Sequence, residues 1–195
     1  MKEEAPDTHH DHSANTHFGF WLYLMTDCVL FAVLFATYLV LQTGTAGGPT
    51  PKSLFSLPYA LTETLVLLTS SFTCGLAMVG AGRGSRHTLL TWFAITFLLG
   101  ATFLGLELAE FGRFIGMHFT WERSAFLSAY FTLIGTHGLH VAIGLIMMII
   151  FTVQVYLWGF NDLVMRRLSC LKLFWHFLYL IWIFEFIMVY LTGVG

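Results

Sequence analysis

Residues 126–157 read FLSAYFTLIGTHGLHVAIGLIMMIIFTVQVYL. No Asp, Glu, Lys or Arg interrupts these 32 residues. A bilayer core about 30 Å thick is crossed by roughly 20 apolar residues in a helix that rises about 1.5 Å per residue. The stretch is long enough to span. It lacks the period-two alternation of a barrel strand. Within lipid only helices and closed barrels satisfy the backbone, so it reads as a transmembrane helix. Four further stretches read the same way, near 18–42, 58–81, 87–113 and 170–193. The expected fold class is an all-α membrane protein, a bundle of five transmembrane helices over 18–195, preceded by a tail over 1–17.

Composition agrees. The chain has 195 residues, 57% hydrophobic and 10% charged, with a mean hydropathy of +0.76. A soluble domain carries about 25% charged residues, so a soluble enzyme, a disordered chain and a nucleic-acid-binding protein are excluded as defaults. The net charge of −2 offers no steering field for polyanions. Cys28, Cys74 and Cys170 are odd in number and form no CxxC, which indicates neither a disulfide framework nor a zinc site. They read as small apolar packing residues.

The tail Met1 to His17 holds Glu3, Glu4, Asp7 and Asp11 with His9, His10, His12 and His17. It has no basic n-region followed by a small-residue cleavage site, so it reads as a polar, His-rich soluble tail rather than a signal peptide. Gly44, Gly47, Gly48, Pro49 and Pro51 mark the first connector, and Arg83-Gly84-Ser85-Arg86 marks a short turn. Lys2, Arg83, Arg86, Arg166, Arg167 and Lys172 fall on one side, against Lys52, Arg113 and Arg123 on the other. The excess of cations on the cytoplasmic side predicts a cytoplasmic N-terminus and a periplasmic C-terminus.

Ionisable groups inside spans are costly and therefore candidate functional or packing sites. They are Asp27, Glu63, Glu107, Glu110, His137, His140, His176 and Glu185. Depth along the helices groups Asp27, His140 and His176 in one leaflet, and Glu63, Glu107 and Glu110 in the other. Asp27 is expected within hydrogen-bond reach of His140 or His176. Glu107 and Glu110 share a helix face, as do His137 and His140. Gly135 and Gly138 suggest close helix packing there rather than metal or haem ligation. Asp27 reads either as a buried carboxyl, neutral or paired with a histidine, or as part of a proton relay. Ala101, Gly105 and Ala109 form a small-residue stripe expected to pack internally. The 20 phenylalanines and six tryptophans are expected on lipid-facing or subunit-facing surface. Trp21, Trp121 and Trp158 sit where an aromatic belt would. No GxSxG, HExxH or P-loop occurs, and no proline lies inside a span, which disfavours hydrolytic chemistry and broken-helix transport.

Five stretches, in order, carry a resemblance. They are Phe18-Gly-Phe-Trp-Leu-Tyr-Leu-Met-Thr-Asp27-Cys-Val-Leu-Phe, Glu63-Thr-Leu-Val-Leu-Leu-Thr-Ser-Ser, and Gly100-Ala-Thr-Phe-Leu-Gly-Leu-Glu107-Leu-Ala-Glu110-Phe. Gly135-Thr-His137-Gly-Leu-His140-Val and Phe174-Trp175-His176-Phe complete the set. From Phe18 onward the chain resembles the five-helix subunit III of haem–copper terminal oxidases. Within that family it is most similar to the cytochrome bo-type ubiquinol oxidase branch, which the connector from Gly44 and the His-rich tail also resemble. The resemblance implies a subunit without a redox centre in a complex that oxidises ubiquinol, reduces dioxygen to water and pumps protons. Haems, copper and ubiquinol would belong to partner subunit I. It implies subunits I, II and IV and membrane phospholipids as partners, no nucleic acid, and a multi-pass place in a bacterial inner membrane. Asp27 would lie beside a lipid-binding cleft. His137, His140, Trp175 and His176, with Glu63, Glu107 and Glu110, would be buried polar or cleft residues; no residue is expected to be catalytic or a metal ligand.

The family commonly has an acid two residues after Trp-His-Phe, where this chain has Tyr179. Glu185 is six residues later, about 240° round the helix, and is not an evident substitute. Two other readings stand beside this one: an accessory subunit of a cytochrome c oxidase or nitric oxide reductase, and an independent carrier or channel.

Overall fold

The computed structural model describes residues 9–45 and 56–191, with side chains from Phe18 onward. The side chains of the His-rich tail, and most of the Gly- and Pro-rich first connector, lie outside the described residues. Five helices follow one another: α1 His9–Leu41, α2 Leu57–Gly82, α3 Arg86–Gly116, α4 Ala125–Trp158 and α5 Asp162–Glu185. A π-helical segment, Phe186–Leu191, continues α5. All five are long and apolar enough to cross a membrane, over Phe18–Leu41, Leu57–Gly82, Arg86–Gly116, Ala125–Trp158 and Asp162–Leu191.

Four spans match the sequence reading within about three residues; the fifth begins eight residues earlier than 170. The early turns carry Arg166 and Arg167, which dilute the apolar signal, yet Val164 and Leu168 at i,i+4 are both buried and hold those turns to the bundle. Serines start two of the helices. The Ser85 hydroxyl accepts from the Thr88 amide before α3, and the Ser124 hydroxyl from the Leu127 amide before α4. Each satisfies a donor that a helix start leaves free.

Successive helices run in opposite directions, so the bundle has two ends. At one end the α1–α2 connector meets the start of α4, where the Phe126 amide donates to the Gly44 carbonyl at 3.3 Å. At the other end the Arg86 guanidinium packs on Gly159, which has φ +70 and closes α4. A β-carbon at Gly159 would displace the mobile end of Arg86, and it is the positive φ that calls for glycine here.

α2 and α3 form the most extensive helix pair, and α5 touches α1, α2 and α4. Hydroxyls knit the pair: Ser70 donates to the Thr96 carbonyl, and Thr73 and Thr96 share a hydrogen bond at 2.9 Å. Such bonds suit a bilayer, where packing and interhelical hydrogen bonds replace the hydrophobic drive between helices.

Trp175 is the keystone of the interior. Its indole lies between two glycines, Gly100 of α3 and Gly144 of α4. A β-carbon at Gly100 would stand 2.8 Å from its ring, and one at Gly144 2.9 Å from it. Its Nε1 donates to the Ser70 hydroxyl of α2 at 3.1 Å. One side chain thus joins four helices. Gly144→Ala is expected to lower stability by about 1–3 kcal/mol through overpacking, read as a lower unfolding temperature in detergent. An unchanged temperature would mean that the indole has room to move.

Two expectations about surfaces change. Gly105 and Ala109 are exposed, and none of the described residues lies within 4 Å of a β-carbon at Gly105. The small-residue stripe therefore faces out of this chain, because α3 packs on α2 and α4 through Phe93, Thr96, Gly100, Phe103 and Glu107 instead. The aromatic residues are not confined to the surface either. Phe31, Phe93, Phe103, Phe114, Phe126 and Phe174 are buried with Trp175 and Trp182. Trp21, Trp121 and Trp158 are exposed: Trp21 near the start of the first apolar span, Trp121 in the connector between α3 and α4, and Trp158 at the end of α4. Among the cysteines, Cys74 and Cys170 are buried and Cys28 is exposed.

Candidate functional site

The buried ionisable side chains gather along one seam through the bundle. Phe31 of α1 packs against both His137 and His140, one turn apart on α4, with ring centroids 6.5 and 5.4 Å away; His140 faces Asp27 of α1 and His137 faces Glu185 of α5. Each imidazole commits one nitrogen to a backbone carbonyl. His137 Nε2 donates to Leu178 O at 3.1 Å, and His140 Nδ1 donates to Thr136 O at 2.7 Å. A carbonyl only accepts, so the proton position on each ring is set. The second nitrogen of each ring then faces a carboxyl: His140 Nε2 is 3.7 Å from Asp27 Oδ2, and His137 Nδ1 is 3.7 Å from Glu185 Oε2.

Asp27 therefore faces His140, one of the two histidines that depth along the helices offers, but at 3.7 Å it stands beyond the expected hydrogen-bond reach. Its Oδ2 has no hydrogen-bond partner among the described residues. Tyr23, one turn earlier, presents its hydroxyl to the same carboxyl. His176 takes no part in the pair. Its Nδ1 donates to Lys172 O at 2.8 Å, and its ring lines an apolar groove of about 330 Å³ between α1 and α5, beside Trp21, Met25 and Cys28. Shared depth brings His140 and Asp27 together; the rotation of α5 sends His176 elsewhere.

The second grouping is larger than its sequence outline. Glu63 of α2, Glu107 and Glu110 of α3 and Glu185 of α5 are all buried. Glu107 lies against Gly138 of α4, where a β-carbon would strike its carboxyl. The glycine is there to admit the acid. Glu63, Glu107 and Glu110 are within electrostatic reach of one another, and Glu107 is within reach of Glu185. Glu110 is the satisfied member: its Oε2 accepts from the Tyr130 and Tyr190 hydroxyls at 3.1 and 3.0 Å, and Arg113 Nη2 stands 3.5 Å from its Oε1. Arg113 also stacks over Tyr59 and Phe114, at 5.8 and 5.2 Å from their ring centres. It ties the seam to the end of the bundle where α3 closes.

Several members of this region escape a reading from spacing alone. Trp182 Nε1 donates to the Thr64 hydroxyl at 3.0 Å, as Trp175 does to Ser70. The two tryptophans are seven residues apart and share a face of α5. Glu185 follows Trp182 by three residues, and its alignment with that face is the signal that would have joined it to the site. Tyr179 is half-buried, and Glu185 points to His137, so the carboxyl at 185 and the side chain at 179 serve different neighbours. Tyr130 and Tyr190 carry no sequence mark that distinguishes them from other aromatics.

The arrangement fixes one ring nitrogen of each histidine and joins helices through buried hydrogen bonds. Among the described residues no group of three or more His, Cys, Asp or Glu is placed to hold a metal ion.

The family described as cytochrome c oxidase subunit III matches residues 2–194. The chain is 54% identical over 187 residues to a protein of Pseudomonas aeruginosa named cytochrome bo(3) ubiquinol oxidase subunit 3, covering 96% of this chain and 90% of that one. It is 42% identical over 177 residues to quinol oxidase subunit 3 of Bacillus subtilis, covering 91% and 87%. It is also 42% identical over 180 residues to cytochrome c oxidase subunit 3 of Bacillus sp. (strain PS3), covering 92% and 87%.

Proposed function

This chain belongs to the cytochrome c oxidase subunit III family, and from that premise we propose that it is the accessory third subunit of a ubiquinol oxidase. The complex oxidises ubiquinol and reduces dioxygen to water. This subunit carries no redox centre and supports assembly and sustained turnover. The observation that carries the reading is the greater likeness, over nearly the full length, to a ubiquinol oxidase subunit than to a cytochrome c oxidase subunit. Haems, copper and the quinol site belong to subunit I. Subunits II and IV complete the assembly, in a bacterial inner membrane, with the N-terminal tail in the cytoplasm and the C-terminus in the periplasm.

Phospholipid is part of the reading. The groove between α1 and α5, and a second of about 340 Å³ between α3 and α4 lined by Phe93, Phe97 and Met148, are apolar and acyl-chain-like in their lining. Asp27 is buried and faces His140, and its chain neighbour Cys28 lines the first groove. Buried polar side chains hold the helices that frame these grooves.

The test is co-purification. A tagged chain is expected to bring down a haem-containing complex that oxidises quinol. A complex that accepts cytochrome c and not quinol would overturn the assignment of donor; a Soret band remaining on the isolated chain would overturn the accessory role. Asp27→Ala is expected to leave the complex assembled, with initial quinol oxidation unchanged but faster inactivation during turnover. Inactivation at the wild-type rate would remove Asp27 from that role.

A further inference from the structure

The seam contains six buried polar atoms with no hydrogen-bond partner among the described residues: both oxygens of Glu63, both of Glu185, Oε2 of Glu107 and Nδ1 of His137. These side chains come from α2, α3, α4 and α5, and none is more than 2% exposed. Buried polar groups are almost always hydrogen-bonded, to protein or to ordered water. The described residues supply none of these six bonds. Arg113, the cation within reach of Glu63, stands at Glu110, and its own side chain is 41% exposed. Glu110 and the Tyr130 and Tyr190 hydroxyls bond to one another.

We propose that Glu63, Glu107, Glu185 and His137 enclose a buried water site inside the bundle. A buried water makes about three hydrogen bonds, so six unpartnered atoms call for about two waters. The geometry favours water over an ion, because no three carboxyl, imidazole or thiol groups among the described residues converge as metal ligands. Three carboxylates without a paired cation are not sustained at this depth, so the groups enter the site as carboxylic acids whose O–H donates into the water. His137 is the natural acceptor. Its Nε2 proton is given to Leu178 O, which leaves Nδ1 with a lone pair facing Glu185. Gly138 makes the site possible by letting the Glu107 carboxyl reach the α4 backbone. Glu110, Tyr59, Tyr130, Tyr190 and Arg113 stand between the site and the end of the bundle where α3 closes.

The test uses the intact oxidase complex with the full chain. A high-resolution map of the unsubstituted complex is expected to show solvent density within hydrogen-bond distance of Glu63, Glu185 and His137 Nδ1. Carboxyls bonded directly to one another, with no density between them, would overturn the proposal, and this outcome needs no variant to fold. Infrared spectra of the same complex, in water and in deuterium oxide, give the second readout. Glu63→Gln and Glu185→Gln are each expected to remove a protonated-carboxyl stretch and to shift the one that remains, because both acids bond to the same waters. Glu122→Gln, on the exposed connector, is the control and should change neither. Loss of one stretch with no shift in the other would overturn the shared site and leave two separate acids.

Discussion

Trp175→Ala is expected to detach this subunit from the oxidase during purification. The indole touches Gly100 and Gly144 and bonds to Ser70, so its loss opens a cavity among four helices at once. In a soluble core the change from Trp to Ala costs about 3–5 kcal/mol. In a bilayer the separated helices stay in lipid, so part of the transfer contribution falls away and packing with the lost hydrogen bond remains. The expectation is about 2–4 kcal/mol, on the scale of the soluble value less that part. Subunit stoichiometry after detergent extraction measures it. Trp175→Phe keeps much of the volume but not the N–H, and should lose about 1 kcal/mol, the net value of one hydrogen bond. If both variants retain full stoichiometry, the indole is not what holds the helices together.

The second large effect is expected at Glu110. Glu110→Leu removes the acceptor of the Tyr130 and Tyr190 hydroxyls and the partner of Arg113. A buried polar group deprived of its partner costs about 1–3 kcal/mol. With two hydroxyls affected, the loss is about 2–5 kcal/mol on that scale. Glu110→Gln retains an acceptor oxygen and should recover most of it. The measurement is the unfolding midpoint of the complex in rising denaturant. A Gln variant as weak as the Leu variant would show that charge at Arg113, rather than the tyrosine hydroxyls, is the main contribution.

Both predictions rest on side chains whose importance is unequally visible in the sequence. Trp175 stands in a recognisable motif beside His176, yet the motif does not say that the indole slots between two glycines from other helices. Depth along the helices offers Asp27 both His140 and His176, and the structure brings His140 to 3.7 Å. Depth has no means of choosing between them, since two helices at one level can still face apart. Glu185 shows the converse. It was visible as an ionisable residue in a span, but its partner His137 lies on another helix, 48 positions back in the chain.

The small-residue stripe makes the same point from outside. Ala101, Gly105 and Ala109 at four-residue spacing permit close approach by a helix, and spacing alone cannot say whether that helix is in the same chain. In this chain α3 turns its glycine Gly100 inward and Gly105 outward.

The sequence by itself determined that five helices cross a membrane, nearly where each lies apart from the start of the fifth, and which family the chain resembles. Length and apolarity decide a crossing without reference to any neighbour, because each helix satisfies its own backbone and lipid accepts its surface. Only the tertiary structure decided the pairings: His140 with Asp27, His137 with Glu185, Trp175 with Ser70, and Glu107 with Gly138. In water a polar face tells which side of a helix looks outward. In lipid both sides are apolar, that signal vanishes, and the rotation of each helix is fixed only when the shapes and the few buried polar groups of its neighbours meet.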